Sequence, residues 1–146
     1  MISFSVSEVF VNQPRANHGT SRVLAALHLP DEEKLPGAVM EYLARNAELE
    51  TIRLSCLKET SARIAHEIEQ DGSIKAILAT HDAAIGGIWT NRHSGVRSVV
   101  VYSFEQAKRD IIATNANVII VDPRDVGSYA FRRIVDFFVQ ERREGR

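Results

Sequence analysis

Short β-branched runs recur along this chain from Arg22 onward, each followed by a stretch with helical spacing, and this alternation restricts the fold more than any other feature. The runs are Arg22 to Leu27, Thr51 to Cys56, Ile74 to Ala79, Val96 to Tyr102 and Val118 to Val121. Asp31 to Asn46 carries Leu35, Val39, Tyr42 and Leu43 on one helical face, and Glu59 to Gln70 carries Ile64, Ala65 and Ile68. Phe104 to Ala113 carries Ala107, Ile111 and Ile112. Val126 to Val139 carries Tyr129, Ile134, Val135, Phe137 and Phe138, and Ala83 to Arg92 has the length of a further helix. The runs are apolar nearly throughout, as strands are when both faces of a sheet are covered. Strict β-α alternation then predicts an α/β fold: a doubly wound, three-layer α/β/α sandwich on a five-stranded parallel sheet.

Residues 21–146 fit this scheme as a single domain, and a chain of 146 residues fits one core. Residues 1–20 lie outside it. Ile2, Phe4 and Val6 alternate with Ser3, Ser5 and Ser7, followed by Val9-Phe10-Val11. They read as an N-terminal arm. It is either an extra strand pairing with a sheet edge or a neighbouring subunit, or a partly ordered terminus.

Composition excludes several roles. A formal net charge of −1 argues against broad electrostatic binding to nucleic acid or to an anionic membrane. No apolar run approaches the roughly 18 residues of a membrane span. The N-terminus lacks the basic and apolar regions of a signal peptide. Cys56 is the single cysteine, so no intrachain disulfide forms, and a reducing cytoplasm is the expected compartment.

In an open parallel sheet, ligands bind beyond the carboxyl ends of the strands. That rule selects His28, Cys56, Thr80-His81-Asp82, Tyr102-Ser103 and Asp122-Pro123-Arg124. Within T-H-D-A-A-I-G-G-I-W-T-N (80 to 91) a strand runs through a small-residue turn into a helix. Gly86 and Gly87 there either let an anion approach helix N–H groups or allow close helix–strand packing. No G-x-G-x-x-G and no Walker lysine is present, so no nucleotide cofactor is implied. His81 and Asp82 form the one adjacent His/Asp pair, suited to proton transfer near neutral pH or else a solvated pair. Arg124 either holds a phosphate through a bidentate pair or pairs with Asp122 or Asp125. The five histidines have no metal-ligand spacing, and His66 is expected to face solvent. No G-x-S-x-G supports a serine nucleophile. Arg142, Arg143 and Arg146 form a basic tail.

Four segments together carry a family resemblance. They are A-R-I-A-H-E-I-E-Q-D-G-S-I-K-A-I-L-A-T, G-G-I-W-T-N-R-H-S-G-V-R-S-V-V-V, N-A-N-V-I-I-V-D-P-R-D-V-G and I-V-D-F-F-V. In order and spacing, from about Ala62 to Val139, they resemble the ribose-5-phosphate isomerase B and galactose-6-phosphate isomerase family. The resemblance implies a Rossmann-like fold, no cofactor and a phosphorylated sugar substrate. It also implies aldose–ketose isomerisation through an enediolate, and a homodimer or homotetramer with shared active sites, or an assembly with a paralogous subunit. Asn91 and Arg97 match the family's A-N-K and G-I-R elements, Asn117 its A-N-V, and Arg124 and Gly127 its G-x-R-V-V-G, whose arginine is implied to bind phosphate. Thr80 stands where the family's C-G-T-G-[IV]-G has its proton-shuttling cysteine, and Ala113 where its ring-opening histidine stands. The D-H-A-G element is replaced by His28-Leu29-Pro30. A threonine hydroxyl does not ionise near neutral pH as a thiol does. The chain therefore reads as a divergent member lacking the usual catalytic residues. Either it is an isomerase with Asp82 as general base and His81, Thr80 and His28 around it, or it is an inactive sugar-phosphate-binding or structural subunit. In the first case Arg124, Asn91, Asn117 and the Gly86–Gly87 turn are the substrate-binding set.

Overall fold

A computed structural model of the chain describes residues 21–141. The expected N-terminal arm and the arginine tail lie outside them. The elements are β1 (Ser21–His28), α1 (Gly37–Asn46), β2 (Ala47–Arg53), α2 (Leu57–Gln70), β3 (Lys75–Thr80), α3 (Ala83–Thr90), β4 (Ser98–Val100), α4 (Phe104–Thr114), β5 (Val118–Val121) and α5 (Ser128–Gln140). All four strand pairings are parallel, in the order β2-β1-β3-β5-β4. The expected α/β sandwich is therefore present.

Its layers follow from the two-residue period of strands. Val23, Ala25 and Leu27 of β1, with Ile77 and Ala79 of β3, pack under α1, α4 and α5. Leu24, Ala26, Ala76 and Leu78 point the other way, beneath α2 and α3. The inner strands are buried on both faces, which explains their continuous apolar sequence.

Three boundaries differ from expectation, each for a local reason. Helix α1 begins at Gly37 rather than Asp31, because Pro36 sits at its N-cap and disfavours helical backbone at Leu35. Residues 31–34 instead turn, with Glu33 N–H donating to Pro30 O at 3.0 Å and Glu32 at φ 70°. Strand β2 occupies 47–53 rather than 51–56. It is an edge strand whose buried Ala47, Leu49 and Ile52 are separated by half-exposed residues, a weaker apolar signal. Strand β4 shortens to 98–100 at the other edge, although Val101 N–H still reaches Ile120 O at 3.0 Å.

Candidate active site

From β1 the chain departs through α1 on one face of the sheet; from β3 it departs through α3 on the other. Since β1 and β3 are neighbours, with His28 level with Thr80, their carboxyl ends open a crevice. Four of the expected residues meet there. Thr80 is fully buried, and its Oγ1 lies 2.9 Å from His28 Nδ1 and accepts the Asp82 N–H at 3.0 Å. This second bond is the side-chain-to-backbone turn that residues of this type favour at strand ends. A hydroxyl has one proton and two lone pairs, so Thr80 holds the Asp82 N–H and His28 Nδ1 at once. Asp82 is exposed beside α3.

His81 turns toward the β1–α1 loop, its Nε2 3.0 Å from one carboxylate oxygen of Glu33 and 3.1 Å from the other. Arg124 reaches the same place from the β5–α5 loop. Its Nε and Nη2 grip Asp122 at 3.1 and 2.8 Å, and Nη2 also donates to His81 O at 3.0 Å. The Asp122 carboxyl is nearly buried. Hydrogen bonds from Arg124 hold it below the usual aspartate range against the opposing effect of burial, and the guanidinium is raised in turn by Asp122. Of the two readings of Arg124 in the sequence, the aspartate pair is the one formed. Its Nη1 edge takes no part in that pair.

His81, Asp82 and Asp122 border a shallow depression of about 380 Å³, lined also by the first turn of α3, Val100, Tyr102 and Asp125. The first-turn N–H groups of Ala83, Ala84 and Ile85 have no intrahelical acceptor, so an anion in the depression meets donors and the positive end of the helix dipole. Gly86 is not among them, because its N–H already donates to Asp82 O at 2.9 Å. A Cβ on Gly86 would sit 3.3 Å from Leu78 and 3.4 Å from Ile120, so this glycine lets α3 pack against the sheet. Gly87 lies farther along the helix, where a Cβ would meet Val100 at an ordinary 3.5 Å.

Two expected residues lie elsewhere. Asn91 caps the far end of α3, with Oδ1 accepting from Ser98 N at 2.9 Å and Nδ2 donating to Ser98 O at 3.3 Å. Asn117 precedes β5, accepts the Arg97 N–H at 2.8 Å and donates to Gly95 O at 3.0 Å. Both stand at the amino ends of the strands, across the sheet from the crevice, and both amides clip loop backbone. Within one protomer they cannot join His28 and Thr80. Ala113 is exposed near the end of α4. His66 is exposed on α2, as expected. Sequence reasoning missed Glu33. It was hidden inside a helix that Pro36 in fact stops, while Asp122, expected at the rim as a partner of Arg124, is nearly buried. Among the described residues no group of three or more His, Cys, Asp or Glu could hold a metal ion, and no helix is long and apolar enough to cross a membrane.

The pattern of the Ribose/Galactose Isomerase family matches residues 34–146. The chain belongs to this family. The solved structures agree on the fold. Ribose-5-phosphate isomerase B from Mycoplasma genitalium, with bound ribulose-5-phosphate, superposes with a TM-score of 0.74 at 19% identity, covering 86% of this chain and 88% of that one. The Thermotoga maritima ribose 5-phosphate isomerase gives 0.73 at 22% identity over 88% and 91%. The Trypanosoma cruzi type B enzyme gives 0.71 at 22% over 87% and 88%. No curated protein matches the sequence. The family match starts at Lys34, so β1, His28 and Glu33 precede it.

Proposed function

We propose that this ribose/galactose isomerase family member interconverts a phosphorylated aldose and ketose, a pentose or hexose phosphate, with a rebuilt proton-transfer set. The observation that carries the reading is the grouping of His28, Thr80, His81 and Asp82 at the crevice between β1 and β3. Asp82 is the general base. It takes the proton from the carbon beside the carbonyl and returns it to the other carbon of the enediolate, so the reaction balances without a co-reactant. The phosphate lies against the first turn of α3 and the Nη1 edge of Arg124. Exposed Ile85, Ile88 and Tyr102 beside the depression support a homodimer, and the absence of paired cysteines is in keeping with work in the cytoplasm.

Incubation with pentose and hexose phosphates, following aldose–ketose conversion, tests the reading. Asp82→Asn is expected to lower kcat by about 10²–10⁴-fold, the usual worth of a general base. Undiminished turnover in that variant would remove Asp82 from the role.

One observation favours a second reading, a sugar-phosphate-binding subunit without catalysis. The Thr80 hydroxyl, at the position of the family's cysteine, is fully buried and committed to His28 and to Asp82 N–H. Saturable binding of sugar phosphates with no turnover would select it.

A further inference from the structure

We propose that Glu33 is the positioning residue for His81, fixing the proton on Nε2 so that Nδ1 opens the sugar ring. The inference rests on the isomerase reading above, and it assigns ring opening to His81 rather than His28. A carboxylate accepts only, so Nε2 donates to Glu33, and both carboxylate oxygens lie within 3.1 Å of it. Nδ1 is then the ring nitrogen left to exchange protons with a ligand. The Nδ1 of His28 is instead turned to the buried Thr80 hydroxyl.

The contact is built from both sides. Arg53 of β2 donates to Leu29 O at 3.4 Å, to Pro30 O at 3.5 Å and to Glu33 O, which clamps the β1–α1 loop. Glu32, immediately before Glu33, holds a left-handed φ of 70°, a conformation a glutamate adopts only when its surroundings enforce it. From the opposite side Arg124 fixes the His81 carbonyl at 3.0 Å. The charged groups around His81 are thus Glu33 from one side, Arg124 and Asp122 from the other, and Asp82 next in the chain.

In the step proposed, His81 takes the anomeric hydroxyl proton on Nδ1 as the bond from C1 to the ring oxygen breaks. Nδ1 then gives that same proton to the ring oxygen, and the imidazole returns to its starting state. No electron acceptor or co-reactant is needed. Only the ring-closed aldose requires this step. A 2-ketopentose 5-phosphate cannot close a furanose, because its 5-hydroxyl is esterified.

That difference supplies the test. Glu33→Gln keeps the size and removes the charge. It is expected to lower conversion of aldopentose 5-phosphate by about 10²-fold. Solvent deuterium exchange into C1 of ribulose 5-phosphate, which needs only the enediolate step, should stay within about threefold, and Glu33→Asp should recover part of the loss. Equal losses in both assays, or none in either, overturn the role of Glu33 while leaving the isomerase reading intact. Absence of both reactions in the wild-type chain overturns that reading and this step with it. Ring ¹⁵N shifts give an independent measure. His81 is expected to carry its proton on Nε2 in the wild type and to mix tautomers in Glu33→Gln; identical shifts in the two proteins overturn the positioning.

Discussion

At Thr80 one fully buried hydroxyl is shared between His28 Nδ1 at 2.9 Å and the Asp82 N–H at 3.0 Å. The same rim holds its strongest charge pair one strand away. Asp122 is nearly buried and forked with Arg124, so its folded pKa lies below the unfolded value of about 3.9. A carboxyl lowered in this way contributes stability that is fully present above the unfolded value and is lost as pH falls through the folded one. Urea midpoints measured from pH 6 down to pH 3 should therefore drop more steeply for the wild type than for Asp122→Asn. Parallel curves would show that the pair adds nothing to stability. The pair also occupies the Nε and Nη2 side of the Arg124 fork.

Helix α5 is held by bonds that its own sequence does not reveal. Lys75 opens β3 and is buried, yet its ammonium donates to Phe138 O at 2.6 Å, Glu141 O at 2.7 Å and Val139 O at 3.3 Å. A cation at a helix C-terminus meets both the orphan carbonyls and the negative end of the dipole. Lys75→Ala is expected to lower unfolding free energy by at least about 2 kcal/mol, since buried carbonyls lose their donor. A denaturant midpoint unchanged within error would contradict this. On the same helix Asp136 accepts from the Tyr42 hydroxyl at 2.8 Å, linking α5 to α1, and burial with that bond pushes the phenol up to about 12. By contrast α4 announces itself: Ser103 and Gln106 form a reciprocal capping box, readable from the S-x-x-Q spacing. Helix α1 could not be placed as well, because its apolar spacing runs back to Leu35 while Pro36 forbids the first turn.

For the whole molecule, the depression has an apolar shoulder. Ile85 and Ile88 are 48% and 55% exposed on one face of α3, and Tyr102 is 61% exposed next to them. Side chains of this size left open beside a site are expected at a subunit interface. Sedimentation should give the wild type a mass of at least twice 16.3 kDa, and Ile88→Glu should shift it toward the monomer. A monomeric wild type would overturn the dimer. An interface there would also bring a second protomer's loops to the rim, the one route by which residues at the amino ends of the strands could approach a crevice.

The order of strands and helices was set by the sequence alone, because burial on two sheet faces or one helix face imposes its period on neighbouring residues. Family membership was legible for the same reason: co-linear segments from Ala62 to Val139 keep their spacing. The site was legible only in part. His28, Thr80, His81 and Asp82 follow from the rule that strand ends bear ligands, but what each touches does not. Glu33 and His81 are 48 residues apart in the chain, and Lys75 and Phe138 are 63 apart. Asn91 and Asn117 match the family's pattern, yet parallel register carries them to the amino ends of the strands, away from the crevice within one protomer. Local periodicity fixes elements; only the packing of β1 against β3 decides which side chains share a crevice, because that choice depends on contacts no single segment contains.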